Sequence, residues 1–176
     1  PVVAVNAGLV VDEGASAIIG SAQLQVTDAD VGDTLTYTVT APPASGSLNL
    51  GTSFTQAQID ANGLSYTQDG SEATSDGFTF TVSDGAGGSI GSTVFVITVT
   101  PTNDDPVLAT NAGVTVAEGA SVVIGNAELE VTDEDAGDTL TYTVTSAPAS
   151  GSLNLGTSFT QAQINANALS YTQDGS

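Results

Sequence analysis

The sequence has no lysine, no arginine and no histidine, so its 20 Asp and Glu residues leave a formal net charge of −20 with no side-chain cation to balance it. A chain that binds nucleic acid displaces counterions with Lys or Arg, so no nucleic-acid partner is expected and anionic membrane surfaces are poor partners. Cysteine is also absent, which removes disulfides and thiolate metal sites. Without His, Cys or Lys, the usual general bases, thiol nucleophiles and Schiff-base residues are missing. Serine and threonine abound, but none has an activating base beside it. Two carboxylates could act together on a glycoside, yet the chain has no Trp and only 5% aromatics, too few for a sugar-binding groove. The sequence therefore reads as non-enzymatic. No stretch resembles a signal peptide, a membrane span or a lipidation motif, so this segment is not expected to insert into a membrane. Because the stretch starts and stops inside repeats, targeting segments can lie outside it. The absence of tryptic sites suits a protease-rich exterior, and an extracellular or cell-surface location is expected.

What is present is enough for a core. Apolar residues make up 40% of the chain and the mean hydropathy is +0.16, so the charge does not impose disorder. Internal repetition organises the rest. Asn6-Ala7-Gly8 recurs as Asn111-Ala112-Gly113, an offset of 105 residues. Glu13-Gly14-Ala15-Ser16 returns as Glu118-Gly119-Ala120-Ser121, and Thr34 to Thr40 is repeated unchanged as Thr139 to Thr145. Residues 1–71 and 106–176 differ at 16 of 71 aligned positions. The expected division is a first repeat over 1–105, with a linker at 100–106, and a partial second repeat over 106–176 that lacks its last strands.

Each repeat reads as β. Thr34 to Thr40 alternates Leu35, Tyr37 and Val39 with threonine, and Gly77 to Ser83 alternates Phe78, Phe80 and Val82 with polar residues. Thr93 to Thr100 directs Phe95, Ile97 and Val99 to one face and Val94 and Val96 to the other. Such alternation marks strands with one buried face, which assigns Tyr37, Phe78, Phe80 and Phe95 to the core. Shorter strands are expected at 9–11, 15–19, 24–26, 47–50 and 64–67, with a single helical turn at Thr55 to Ile59. Turn clusters rich in Gly, Asp, Ser and Pro separate them. Seven or so short strands in about a hundred residues predict an all-β fold, an antiparallel β-sandwich.

The acidic residues gather in turns. Asp28-Ala29-Asp30 followed by Asp33 becomes Asp133-Glu134-Asp135 followed by Asp138, and Thr100-Pro101-Thr102-Asn103-Asp104-Asp105-Pro106 joins the repeats. Two prolines stiffen that linker, and its adjacent carboxylates repel one another unless a cation lies among them. Calcium takes 6–8 oxygen ligands at about 2.3–2.6 Å, and Asp-x-Asp turns beside an Asn-Asp-Asp linker offer such oxygens. The spacing does not fit the twelve-residue EF-hand loop. Asp and Asn also form turns without any metal, and a solvated acidic surface keeps a protein soluble.

The order Glu-Gly, Asp-x-Asp, Asp-Gly-Ser-Glu, Phe-Thr-Phe-Thr-Val-Ser-Asp-Gly and Asn-Asp-x-Pro resembles the cadherin-like repeats of large bacterial surface adhesins. It is similar also to the chondroitin sulfate proteoglycan type of repeat, which carries segments like Ser53 to Ile59 and a Tyr-Thr-x-Asp-Gly-Ser-Glu run. The resemblance covers essentially the whole chain and implies Ca2+ between successive domains. By position, Glu13, Asp69 and Glu72 would come from the first domain, Asn103, Asp104 and Asp105 from the linker, and Asp133 and Asp135 from the second domain. The linker lacks a further acidic residue and a second Asn found in true cadherins, and Asp-Gly-Ser-Glu replaces a shorter acidic-Arg-acidic motif, so fewer ions per junction are implied. The functional expectation is a calcium-rigidified spacer or adhesion module whose partners are neighbouring repeats. The alternative is a fibre subunit completed by strands from an adjacent subunit, with O-linked sugar on its threonines. The uncovered second repeat fits best as part of a longer array, then as such a fibre, and least well as an independent protein.

Overall fold

The computed structural model describes residues 1–176. They form two compact units, Pro1–Thr102 and Asn103–Ser176. The first contains β1 (Val2–Asn6), β2 (Leu9–Asp12), β3 (Ser16–Ile18), β4 (Leu24–Thr27), β5 (Thr36–Ala41), β6 (Gly46–Leu48), β7 (Ser53–Thr55), α1 (Gln56–Asp60), β8 (Ser65–Gln68), β9 (Ser75–Ser83) and β10 (Ser89–Thr100). One layer is the five-stranded sheet β2-β10-β9-β5-β7; the other is built from the pair β1-β4 and the three-stranded sheet β3-β8-β6. All pairings are antiparallel except β10 with β2. The all-β sandwich expected from the alternation is the observed fold.

The core lies where the alternation placed it. Phe95, Ile97 and Val99 on β10 are buried, while Val94 and Val96 on the same strand are more than half exposed. Tyr37 stacks on Phe54 at 5.1 Å between ring centroids, and Phe78 stacks on Phe95 at 5.1 Å. Phe80 sits 5.4 Å from Tyr37 and 5.9 Å from Phe78. Such pairs add to what area burial alone contributes. The single helical turn caps this core: Thr55 accepts from the Gln58 amide and the Gln58 side chain answers to the Thr55 amide, a capping box that satisfies two donors at the helix start. Its Ile59 is fully buried.

Two strands escaped the sequence reading. The first, β1, carries Val2, Val3 and Val5 in a register broken by an irregularity between Val3 and Val5, which spoils strict alternation. The second, β7, is three residues that run directly into α1, too short to show a period.

The second unit contains β11 (Val107–Asn111), β12 (Ser121–Val123), β13 (Leu129–Thr132), β14 (Thr141–Thr143), β15 (Gly151–Leu153), β16 (Ser158–Thr160), α2 (Gln161–Asn165) and β17 (Ser170–Gln173). They pair as β11-β13, β12-β17-β15 and β14-β16, the same local pairings as their counterparts in the first unit. Residues 106–176 include no counterpart of β9 or β10. Phe159, Ile164 and Leu169 are buried, while Tyr142, Val144, Leu129 and Leu153 are only partly covered. Tyr37, the counterpart of Tyr142, is fully buried. No helix is long and apolar enough to cross a membrane.

Candidate metal sites in the acidic turns

Three turns of the first unit converge on Glu13. The Glu13 amide donates to the Thr100 carbonyl at 2.9 Å, at the end of β10. Glu13 Oε2 accepts from the Thr102 amide at 3.2 Å. Its other oxygen, Oε1, is buried and has no hydrogen-bond partner. The Glu72 carboxylate lies within 4.8 Å of that of Glu13. Asp69, three residues earlier, turns inward on its own loop: Oδ1 accepts from the Ser71 hydroxyl at 2.6 Å and the Ser71 amide at 3.1 Å. Those bonds hold the Asp69 carboxyl below the usual carboxylate range, the Ser71 hydroxyl contributing most. Asp69 therefore supports the turn that presents Glu72 through Oδ1.

In the second unit the Asp-x-Asp turn folds as an acidic cup. Asp133, Asp135 and Asp138 bring carboxylate oxygens within 4.8 Å of one another. The Asp135 amide donates to Asp133 Oδ1 at 3.1 Å, and Asp135 Oδ2 accepts from the Asp104 amide at 2.7 Å. The Asn103 side-chain amide donates to the Asp104 carbonyl at 2.7 Å. The linker residue Asp104 is thus joined to the cup through its backbone. Asp105 is exposed and outside this group. Asp133 and Asp138 also line a cleft of about 390 Å³ with Glu130, Thr160 and Gln161.

The repeat register maps Asp133 and Asp138 onto Asp28 and Asp33, and these come together with Asp84 in the first unit. Asp84, in the loop between β9 and β10, is buried, with Oδ1 accepting from the Ala86 and Gly88 amides at 2.8 and 2.9 Å. Asp28 Oδ2 pairs with the Pro1 amine at 2.8 Å. Asp28 Oδ1 accepts from the Asp30 amide at 3.0 Å. The +105 offset points to Asp28 and Asp33, and the pairing of β5 with β9, which sets Thr36 against Ser83, brings Asp84 to them.

The donor sets suit a hard cation. The clustered side chains are all carboxylates, the oxygen donors that a hard cation such as calcium takes. The orphaned Glu13 Oε1 is the sharper observation, because a buried carboxylate oxygen without a partner is costly unless something pairs with it.

The chain is similar to known proteins. A family model described as Cadherin-like matches residues 1–99 and again 106–176. The extracellular matrix organizing protein FRAS1 of Homo sapiens is 34% identical over 195 aligned residues, covering 100% of this chain and 5% of that protein. Extracellular matrix protein 3 of Lytechinus variegatus is 31% identical across 93% of the chain and 6% of its own length. Chondroitin sulfate proteoglycan 4 of Rattus norvegicus is 30% identical across 94% of the chain and 8% of its own. The chain spans less than a tenth of each of these relatives. With both stretches matched by that family model, the chain belongs to the Cadherin-like family.

Proposed function

We propose that this chain is a non-enzymatic extracellular spacer made of two cadherin-like repeats, one spanning 1–105 and the other starting at Pro106, and that calcium stiffens the linker between them. The observation that carries the reading is the buried, unpartnered Glu13 Oε1 beside the Glu72 carboxylate, in a chain with no Lys, Arg or His to neutralise it. Glu13 and Glu72 would hold the ion in the first repeat, and Asp133 and Asp135 would do so in the second, with Asn103, Asp104 and Asp105 adding oxygens from the linker. Bound calcium supplies positive charge that turns mutual repulsion among carboxylates into shared attraction.

The residues of this chain prepare that exchange. Glu13 ties the first residues of the linker back to β10 through Thr100 and Thr102. Asp135 ties Asp104 to the second repeat. Thr102 and Asp104 are two residues apart, and two residues of extended chain span only about 7 Å. Anything that fixes both anchors leaves the linker little freedom. Asp69 shapes the turn behind Glu72 through Oδ1 and would add its other carboxylate oxygen to the first-repeat set. The affinity expected of extracellular calcium modules is about 10⁻⁴–10⁻³ M, so the linker would stiffen on leaving a low-calcium interior. The partners are neighbouring repeats of the same kind. A bacterial surface adhesin as host is part of this proposal, carried by the order of the motifs; the relatives named above are animal proteins, and the mechanism requires the motifs and not the setting.

Calorimetric titration with calcium tests the reading. The wild-type chain is expected to show saturable binding in the stated range, and the Glu13→Gln, Glu72→Gln double variant to lose one class of site. Absence of saturable binding to the wild type would refute it.

A further inference from the structure

The Tyr-Thr-x-Asp-Gly-Ser-Glu run places Gln68 at the unspecified position, and the fold gives that residue an organising role. Gln68 ends β8 and is only 2% exposed. Its Oε1 accepts from the Gly14 amide at 2.6 Å and the Gly70 amide at 2.6 Å. Its Nε2 donates to the Ser71 carbonyl at 2.7 Å, with Ser71 Oγ and Asp69 Oδ1 at 3.3 Å. The Gln68 main-chain amide completes the junction by donating to the Ala15 carbonyl at 3.0 Å.

One side chain therefore grips both turns that carry the carboxylate pair. Gly14 follows Glu13 directly, and Ser71 directly precedes Glu72. Gly14 and Gly70 both have positive φ, +65° and +85°, a conformation that points their amides toward Gln68 and that other residues adopt at a cost. A carboxamide is the one uncharged side chain of this length that can accept from both amides and donate to the carbonyl at once. The second unit repeats the device: Gln173 Oε1 accepts from Gly119 at 2.5 Å and Gly175 at 2.7 Å, and Nε2 donates to the Ser176 carbonyl at 3.0 Å.

We propose that Gln68 is a positioning residue for the cation site of Glu13 and Glu72, setting the separation of the two carboxylates by clamping their turns. The inference rests on the calcium reading above. Outer residues that orient metal ligands typically change affinity by about 10-fold to 100-fold when replaced, and a loss of that size is expected here. The effect is local to the first repeat, because Gln173 clamps the turn of Glu118.

Three forms of the full chain decide the matter: wild type, Gln68→Met and Gln173→Met. Calcium affinity is measured by calorimetry, and amide exchange at Gly14, Gly70 and Gly119 by NMR in the metal-free state. Gln68→Met is expected to speed exchange at Gly14 and Gly70 and to weaken calcium binding at the Glu13 site about 10-fold to 100-fold. Gln173→Met is expected to speed exchange at Gly119 and leave the Glu13 site unchanged, so a purely structural loosening is separated from positioning. Gln68→Asn, one methylene too short to reach both turns, keeps the test open if Gln68→Met fails to fold. Unchanged affinity in a folded Gln68 variant overturns this proposal alone; no calcium binding to the wild type overturns the calcium reading and this proposal with it.

Discussion

Replacing Gln56 by methionine exposes how the first repeat is held together away from its acidic turns. Gln56 is nearly buried at the start of α1, and its Oε1 accepts from two donors, the Val26 amide at 2.8 Å and the Tyr37 hydroxyl at 2.6 Å. Nε2 donates to Asp60 at 2.8 Å. The side chain thus links β4, β5 and α1 across the two layers. Methionine keeps the length and removes the acceptor. Each buried donor left without a partner costs about 1–3 kcal/mol, so the pair sets a loss of about 2–6 kcal/mol. In a unit of roughly 100 residues each kcal/mol lowers Tm by about 4–8 °C, which makes the expected fall about 8 °C or more. Tyr37→Phe alone should cost about 1 kcal/mol, because Gln56 keeps its bond to Val26. The double variant should lose less than the sum of the singles by about 1–3 kcal/mol, since one orphaned donor is gone. Thermal unfolding followed by circular dichroism in chelator measures all four forms with calcium held out. A Gln56→Met loss within about 0.5 kcal/mol of zero, the range of ordinary surface changes, or strict additivity, would refute the reasoning.

Two further predictions concern acid and the aromatic core. Burial opposes the charge on Asp76, but bonds from the Ala44, Gly77 and Ser45 amides and the Tyr66 hydroxyl outweigh it and hold its carboxyl low. Its stabilisation is therefore complete above the ordinary Asp value of about 3.9 and is lost as pH falls through the lower folded value. The stability gap between wild type and Asp76→Asn should narrow on acidification through that window, read by denaturant titration at stepped pH; a gap independent of pH would contradict the assignment. Phe80→Ala, at a fully buried position between Tyr37 and Phe78, should cost about 3–5 kcal/mol, measured as a shift in denaturation midpoint.

Most of the fold was legible because its strands are long enough to show their period. Phe78 to Val82 and Phe95 to Val99 alternate strictly, and each buried residue falls where the alternation put it. Strand β1 was illegible because an irregular register breaks the alternation, and β7 because three residues cannot display one. The acidic turns divided differently. Asp-x-Asp spacing placed Asp133 and Asp135 together in sequence and the fold gathers them with Asp138. Glu13 and Glu72 are 59 residues apart in the chain, and only the pairing of β3 with β8, which carries Ser16 beside Thr67, brings their turns side by side. Asp69 also holds its own turn, with Oδ1 accepting from the serine two residues on. Gln68 carried no charge to draw notice, and its role depends on two glycine amides whose direction no residue type announces.

The central claim is that calcium among the acidic turns fixes the linker. Small-angle X-ray scattering of the full chain, recorded with calcium at several times its dissociation constant and again with chelator, tests it directly. The account predicts a narrower distribution of interdomain distances with calcium, lost in chelator and lost in the Asp104→Ala, Asp135→Ala double variant while circular dichroism shows each repeat still folded. Superimposable profiles with and without calcium would contradict it.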